Sequence, residues 1–116
     1  MEQLNTIRRD ELKTKMDRGD DFLLVEVSER ALYDEAHLPG AILFRSVEEL
    51  EEEIPGKDRE VILYSKNLGD HSSLRVTREL TAMGYLHAYE YEGGKEDWTS
   101  NGLPTETTTE TATETS

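Results

Sequence analysis

Ser65, Asp70 and His71 stand close together in the stretch "VILYSKNLGDHSSLR" (61–75). They are the residue types of a nucleophile, an orienting carboxylate and a general base. An apolar run leads into them and a helical pattern follows, the strand–loop–helix setting in which many α/β enzymes hold a nucleophile. A hydrolytic triad would need His71 bonded to both other side chains, beside donors for an oxyanion. Neighbours on one tight loop rarely meet all three conditions, and the Gly-x-Ser-x-Gly elbow is absent. The favoured reading of Ser65, Lys66, Asn67, Leu68, Gly69, Asp70, His71, Ser72 and Ser73 is a polar loop, with Ser72 or Ser73 capping the helix that follows.

The rest of the inventory narrows the chemistry further. The chain has no cysteine, which removes disulfides, thiolate zinc sites and thiolate catalysis. Three scattered histidines form no metal motif, so no metal or other cofactor is expected. His37 in "HLPGA" reads as a hydrogen-bonded turn residue, and His87 stands alone near a strand. Lys and Arg number 13 against 26 Asp and Glu, and the formal net charge of −13 repels nucleic acid and anionic membrane. Such acidity would also suit a protein of molar salt, but an ordinary acidic surface is the simpler reading. No apolar run approaches the ~20 residues of a bilayer span. The start, "MEQLNTIRRDELK", lacks an apolar stretch behind a basic one, so a cytoplasmic protein is expected.

The elements that must position the loop follow from patterning. At 116 residues, 34% of them hydrophobic, the chain suits one small core. "DELKTKMDRG" places Leu12 and Met16 at helical spacing with Gly19 as the stop. "FLLVEV" (22–27) reads as a buried strand, and "SERALYDEAH" as a helix with Ser28 at its N-cap. Pro39 and Gly40 turn the chain into a brief apolar run, Ala41 to Phe44. "SVEELEEEI" reads as a helix capped by Ser46, with Val47, Leu50 and Ile54 on one face. "EVILYS" (60–65) is the clearest strand. Leu74, Leu80 and Met83 face the sheet from the next helix, which "GY" (84–85) ends. "AYEY" (88–91) is the last strand, and "EGGKEDW" a tight turn into a short helix that places Trp98 in the core. Alternating strands and helices point to a mainly parallel α/β sheet with helices on both faces. The domain is read as residues 1–104. "TETTTETATETS" (105–116) has no large apolar side chain and reads as a disordered acidic tail.

Three stretches, in order, resemble the rhodanese-like domain family over nearly all of residues 5–104. "LLVEVSERALYDEAHLPGAI" resembles the family's strand ending in Asp-Val-Arg, with its helix and "GHIPGA" turn. "VILYS…SSLRVTRELTAMGY" resembles the active-site strand, loop and helix, and "YEYEGGKEDWTSNGLPTE" the closing "LEGG…W…GLP". The resemblance implies a five-stranded, mostly parallel sheet flanked by helices on both faces. It also implies a loop whose N–H groups converge on a cysteine, which carries a sulfane sulfur as a persulfide from donor to acceptor.

That cysteine directly follows the family's strand tyrosine, and here Ser65 follows Tyr64. Asp70 aligns with the second cysteine that long-loop relatives often carry. Glu26 stands for the family's aspartate, and Ser28 for the arginine that often follows it. A serine hydroxyl is not appreciably ionised at neutral pH and cannot hold sulfane sulfur as a persulfide. Lys66 is the loop's only permanent cation, and Asp70 offsets it. The expectation is a binding, regulatory or adaptor module without sulfurtransferase activity of its own. Its ligand would be a protein partner or a small anion at the loop amides. The alternative is a thiosulfate sulfurtransferase whose catalytic cysteine has been replaced by Ser65, or a subunit that borrows a partner's thiol.

Overall fold

The structure, a computed structural model, describes residues 5–54 and 56–108. In chain order the elements are β1 (Asn5–Ile7), α1 (Arg9–Arg18), β2 (Leu23–Glu26), α2 (Arg30–Glu35) and β3 (Ile42–Leu43). They continue with α3 (Val47–Glu53), β4 (Val61–Tyr64), α4 (Ser72–Ala82), β5 (Ala88–Tyr91) and α5 (Gly94–Ser100).

The apolar strands sit at the centre because both of their faces are covered. Along β4, Val61 and Leu63 join Val25, Leu50, Ile54, Val76 and Leu80 in one core cluster, on the side of α3 and α4. Ile62 and Tyr64 point the other way and join Leu12, Leu24, Tyr91 and Trp98, on the side of α1 and α5. The sheet order is β1-β5-β4-β2-β3, and all four pairings are parallel, so the expected mostly parallel sheet is wholly parallel among these strands. In register, Glu26 pairs with Tyr64 and Tyr64 with Tyr91. The carboxyl ends of β2, β4 and β5 therefore finish side by side, and the segments that follow them share one edge, the usual ligand edge of such sheets.

Several terminators act as their residue types require. Gly19 closes α1 in the left-handed region, with φ 76°. The Ser46 hydroxyl accepts the Glu49 N–H at 3.1 Å, and α3 then buries Leu50, with Ile54 buried at its C-cap and Val47 only half-buried. Among the described residues no helix is long and apolar enough to cross a membrane.

Other expectations are corrected. The fifth strand, β1, pairs only with β5 at the sheet edge, and its sequence "NTI" has too little apolar alternation to announce it. Ser28 does not cap α2. Glu29 holds that position without a side-chain cap bond, and the Ser28 hydroxyl turns to Glu26 instead. Neither Ser72 nor Ser73 caps α4, whose N-cap is His71. On α4 the buried side chains are Ser73, Val76, Thr77 and Leu80, with Leu74 half-buried.

Ordered contacts also run past residue 104. His37 and Glu106 form an antiparallel bridge, and Thr108 bonds to Asp34. Backbone pairing and polar side chains thus hold residues just beyond 104, a segment that has no large apolar residue to bury. The remainder of the expected tail, 109–116, lies outside the described residues.

Candidate functional site

The loop 65–71 leaves the end of β4 and is pinned from below by α5. The Lys95 N–H donates to the Ser65 carbonyl at 3.0 Å, and the Glu96 N–H to the Lys66 carbonyl at 2.8 Å. Gly94 allows this approach. It has φ 70°, and a Cβ placed there would lie 2.6 Å from the Ser65 carbonyl oxygen. A turn inside the loop is closed by the Asp70 N–H on the Asn67 carbonyl, 3.1 Å.

Ser65 is not at the mouth of the loop. It is 1% exposed, and its Oγ accepts the Ser73 N–H at 2.7 Å, which satisfies one free amide of the first turn of α4. Asp70 satisfies the next: its Oδ1 accepts the Ser72 N–H at 3.0 Å and the Ser72 hydroxyl at 2.7 Å. Burial pushes the Asp70 carboxyl up, but the Ser72 hydroxyl and N–H and the charge of Lys66 outweigh it and hold the carboxyl below its ordinary range. The caps that sequence reading assigned to Ser72 and Ser73 are thus made to them, by Asp70 and Ser65.

The triad arrangement does not form. Among the described residues the exposed His71 ring makes no hydrogen bond or ion pair, and Ser65 and Asp70 are bonded elsewhere. The amide cup is also partly filled by the chain's own oxygens, since the Ser72 and Ser73 N–H groups are both engaged. Lys66, Asn67, Gly69, Asp70, His71 and Ser72 form one wall of an open cleft of about 670 Å³, faced by Val27, Ser28, Glu29 and Leu32. Leu68 stands at the loop tip, 68% exposed, and lines a separate cleft with Arg8, Tyr91 and Gly93. Ser65 and Ser73 lie behind the loop.

Beneath the cleft are two buried polar groups. Glu26 is fully buried and pairs with Lys95 Nζ at 2.8 Å, while its Oε1 accepts the Tyr64 hydroxyl at 2.7 Å and its Oε2 the Ser28 hydroxyl. Tyr64 in turn accepts the Leu38 N–H at 3.0 Å. Burial, with Glu26 alongside, pushes the Tyr64 phenol far above its ordinary value. Lys95 also donates to the carbonyls of Leu32, at 2.8 Å, and Ala36. The second group is Glu90, whose Oε2 accepts the Ser73 hydroxyl at 2.8 Å. Burial raises the Glu90 carboxyl, an effect the Ser73 hydroxyl opposes and Glu92 reinforces.

Sequence reading missed Lys95 and Glu90. Lys95 sits in "EGGKEDW", read only as a tight turn into a short helix, although a carboxylate at the end of an apolar strand calls for a cation. Glu90 was readable from strand alternation, which puts it on the same face as the buried Ala88. His37 is a bonded turn residue, with Nδ1 2.9 Å from the Tyr33 carbonyl and its ring stacked on Tyr33 at 4.1 Å. Trp98 is fully buried, and its Nε1–H donates to the Pro104 carbonyl at 2.7 Å. Among the described residues no three His, Asp or Glu side chains are grouped to hold a metal ion.

Comparison with known proteins decides the family. Residues 8–101 match the rhodanese-like domain. The chain belongs to the rhodanese-like domain family. Among solved structures, the rhodanese-like domain of an Anabaena sp. protein is similar at 23% identity and a TM-score of 0.76, over 90% of this chain and 80% of that one. A Bacillus halodurans protein is similar at 20% identity and a TM-score of 0.81, over 90% and 77%. Thiosulfate sulfurtransferase from Pseudomonas aeruginosa is similar at 19% identity and a TM-score of 0.78, over 90% of this chain and 20% of that one. At these identities the solved structures share the fold. Comparison with curated protein sequences finds no match.

Proposed function

We propose that this rhodanese-like domain is a binding or regulatory module that transfers no sulfur by itself. One observation carries the reading: the side chain at the nucleophile position is a hydroxyl, 1% exposed, whose oxygen is engaged as the acceptor of an α4 amide. An alcohol attacks only when a base takes its proton, and His71 is not bonded to it. A sulfur donor entering the cleft meets Lys66, Asp70 and His71 and no thiol. With two amides of the cup engaged internally, the cleft favours contact with a protein partner over capture of a small anion.

The test is sulfur transfer from thiosulfate to cyanide, with intact-mass measurement for a persulfide. The unmodified protein should give neither. Ser65→Cys should place a sulfur against the Ser73 N–H at the start of α4, an arrangement that favours the thiolate, and should give at least weak transfer. Turnover by the unmodified protein would overturn the reading.

A further inference from the structure

The helix α2 is the least self-supporting element around the cleft. It has six residues, none fully buried, no side-chain N-cap bond and no basic residue in its last turn. A helix this short is not stable alone, so its order comes from outside. On one side Lys95 Nζ takes the carbonyls of Leu32 and Ala36. On the other lies the C-terminal segment. His37 and Glu106 exchange both backbone bonds, at 2.9 and 2.8 Å. The Glu106 Oε1 accepts the Gly40 N–H at 3.0 Å. The Thr108 N–H and hydroxyl donate to the Asp34 carbonyl and carboxylate at 3.1 and 2.7 Å. Leu32 of this same helix, with Glu29 just before it, forms the wall of the cleft opposite the loop.

We propose that residues 105–108 are a latch that sets the order of α2 and, through it, the shape of the loop cleft. The proposal rests on reading that cleft as the binding site. With the latch in place, α2 is fastened along both flanks. With the latch displaced, α2 keeps two anchors: Lys95, which is shared with Glu26, and Tyr33, whose hydroxyl donates to the Ala41 carbonyl at 2.6 Å and whose ring packs on the core. A partner that took up the acidic C-terminal residues would therefore act on the cleft without entering it. By linkage, a cleft ligand that needs α2 ordered would tighten the latch by the same factor.

The experiment compares the full chain with its Glu106→Ala/Thr108→Val variant by residue-resolved hydrogen exchange. The two changes remove the side-chain bonds to Gly40 and Asp34 and leave the core untouched. Amides of residues 30–36 should exchange about tenfold faster or more, while those of β4 and α4 stay unchanged, because local opening is independent of global unfolding. Truncation after Pro104 removes every latch bond and should enlarge the effect.

A second readout follows the cleft. In an Asn67→Cys background, which puts the thiol on the loop wall of the cleft opposite Leu32, the double change should raise the rate of alkylation by neutral iodoacetamide several-fold. Unchanged exchange in α2, or equal loosening of β4 and α4, would overturn the latch. Neither result bears on sulfur transfer. Thiosulfate turnover by the unmodified protein would sink the binding reading while leaving the exchange pattern of the latch to be read by itself.

Discussion

Lys95→Met should be among the most damaging single substitutions in the chain, and the reason lies in Glu26. The carboxylate is fully buried and the ammonium is 13% exposed, so both charges are held largely out of water and compensate each other at 2.8 Å. Removing one partner of such a pair leaves an uncompensated charge in the interior, which costs about 3–5 kcal/mol. That is a large share of the roughly 5–15 kcal/mol that holds a domain folded. It corresponds to a fall in Tm of over about 10 °C at this size.

Methionine keeps most of the stem volume, so the loss reports the charge and its hydrogen bonds more than packing. The assay is equilibrium urea unfolding at pH 7 and fixed salt, read from the fluorescence of Trp98, the single tryptophan. A second variant, Glu26→Gln/Lys95→Met, removes both charges, while the amide can still bond the Tyr64 and Ser28 hydroxyls. It should recover more than half of the loss. A single-variant cost below about 1 kcal/mol, the worth of an exposed pair, would refute the reasoning. So would a double variant as unstable as the single one, which would assign the loss to the α2 carbonyls rather than to the buried charge.

Gly94→Ala should destabilise by about 2 kcal/mol or more and disturb the backbone amides of 65–67 in NMR spectra, since its Cβ would collide with the Ser65 carbonyl at a positive φ. Glu90→Gln should match the wild type at low pH and exceed it at pH 7. Burial raises the carboxyl in the folded state, so the wild type loses stability as pH rises from the unfolded value of about 4.3 through the raised folded value, and the amide does not. Identical stability–pH curves for the two would contradict this. Added KCl should stabilise the protein by screening the net charge of −13 and saturate near physiological ionic strength. A rise in Tm that begins only above molar KCl would instead mark a salt-adapted surface.

The parts of the fold that burial dictates were legible. β2, β4 and β5 are runs whose apolar character survives in any parallel sheet, and Gly19 and Ser46 terminate helices through bonds made within a few residues of themselves. The parts that depend on distant competition were not. Ser28 is a good N-cap by type, but a buried carboxylate two residues earlier is a stronger acceptor for its hydroxyl. The strand β1 exists because β5 offers it an edge, a fact carried by no residue of "NTI". The contact of residues 105–108 arises the same way: its bonds go to Asp34, His37 and Gly40, far away in sequence, and a composition of Thr and Glu gives no sign of them. The candidate site was legible as a loop and as an absence of thiol. Of its supporting charges, Lys95 was hidden because its partner Glu26 comes from another element, whereas the burial of Glu90 was carried by strand alternation.

On the proposed reading, Ser65 also accounts for how such a loop keeps its shape without a sulfur carrier. The geometry that lowers a thiol's pKa is the start of a helix, where unpaired N–H groups point at one spot. Those amides need an acceptor whether or not a reaction follows. A thiolate sulfur accepts these bonds through its charge, whereas a neutral hydroxyl oxygen accepts the Ser73 N–H at 2.7 Å without one. A serine at this position therefore satisfies the scaffold without a sulfur atom, and Asp70 places a carboxylate on the amide one residue earlier. Ser65→Ala would separate the two roles. It changes nothing in sulfur chemistry, yet it should cost about 1 kcal/mol as a lost helix cap and loosen the amides of residues 72–74. Unchanged stability and exchange in that variant would mean that water or a neighbouring oxygen replaces the hydroxyl, and that the loop does not depend on its serine.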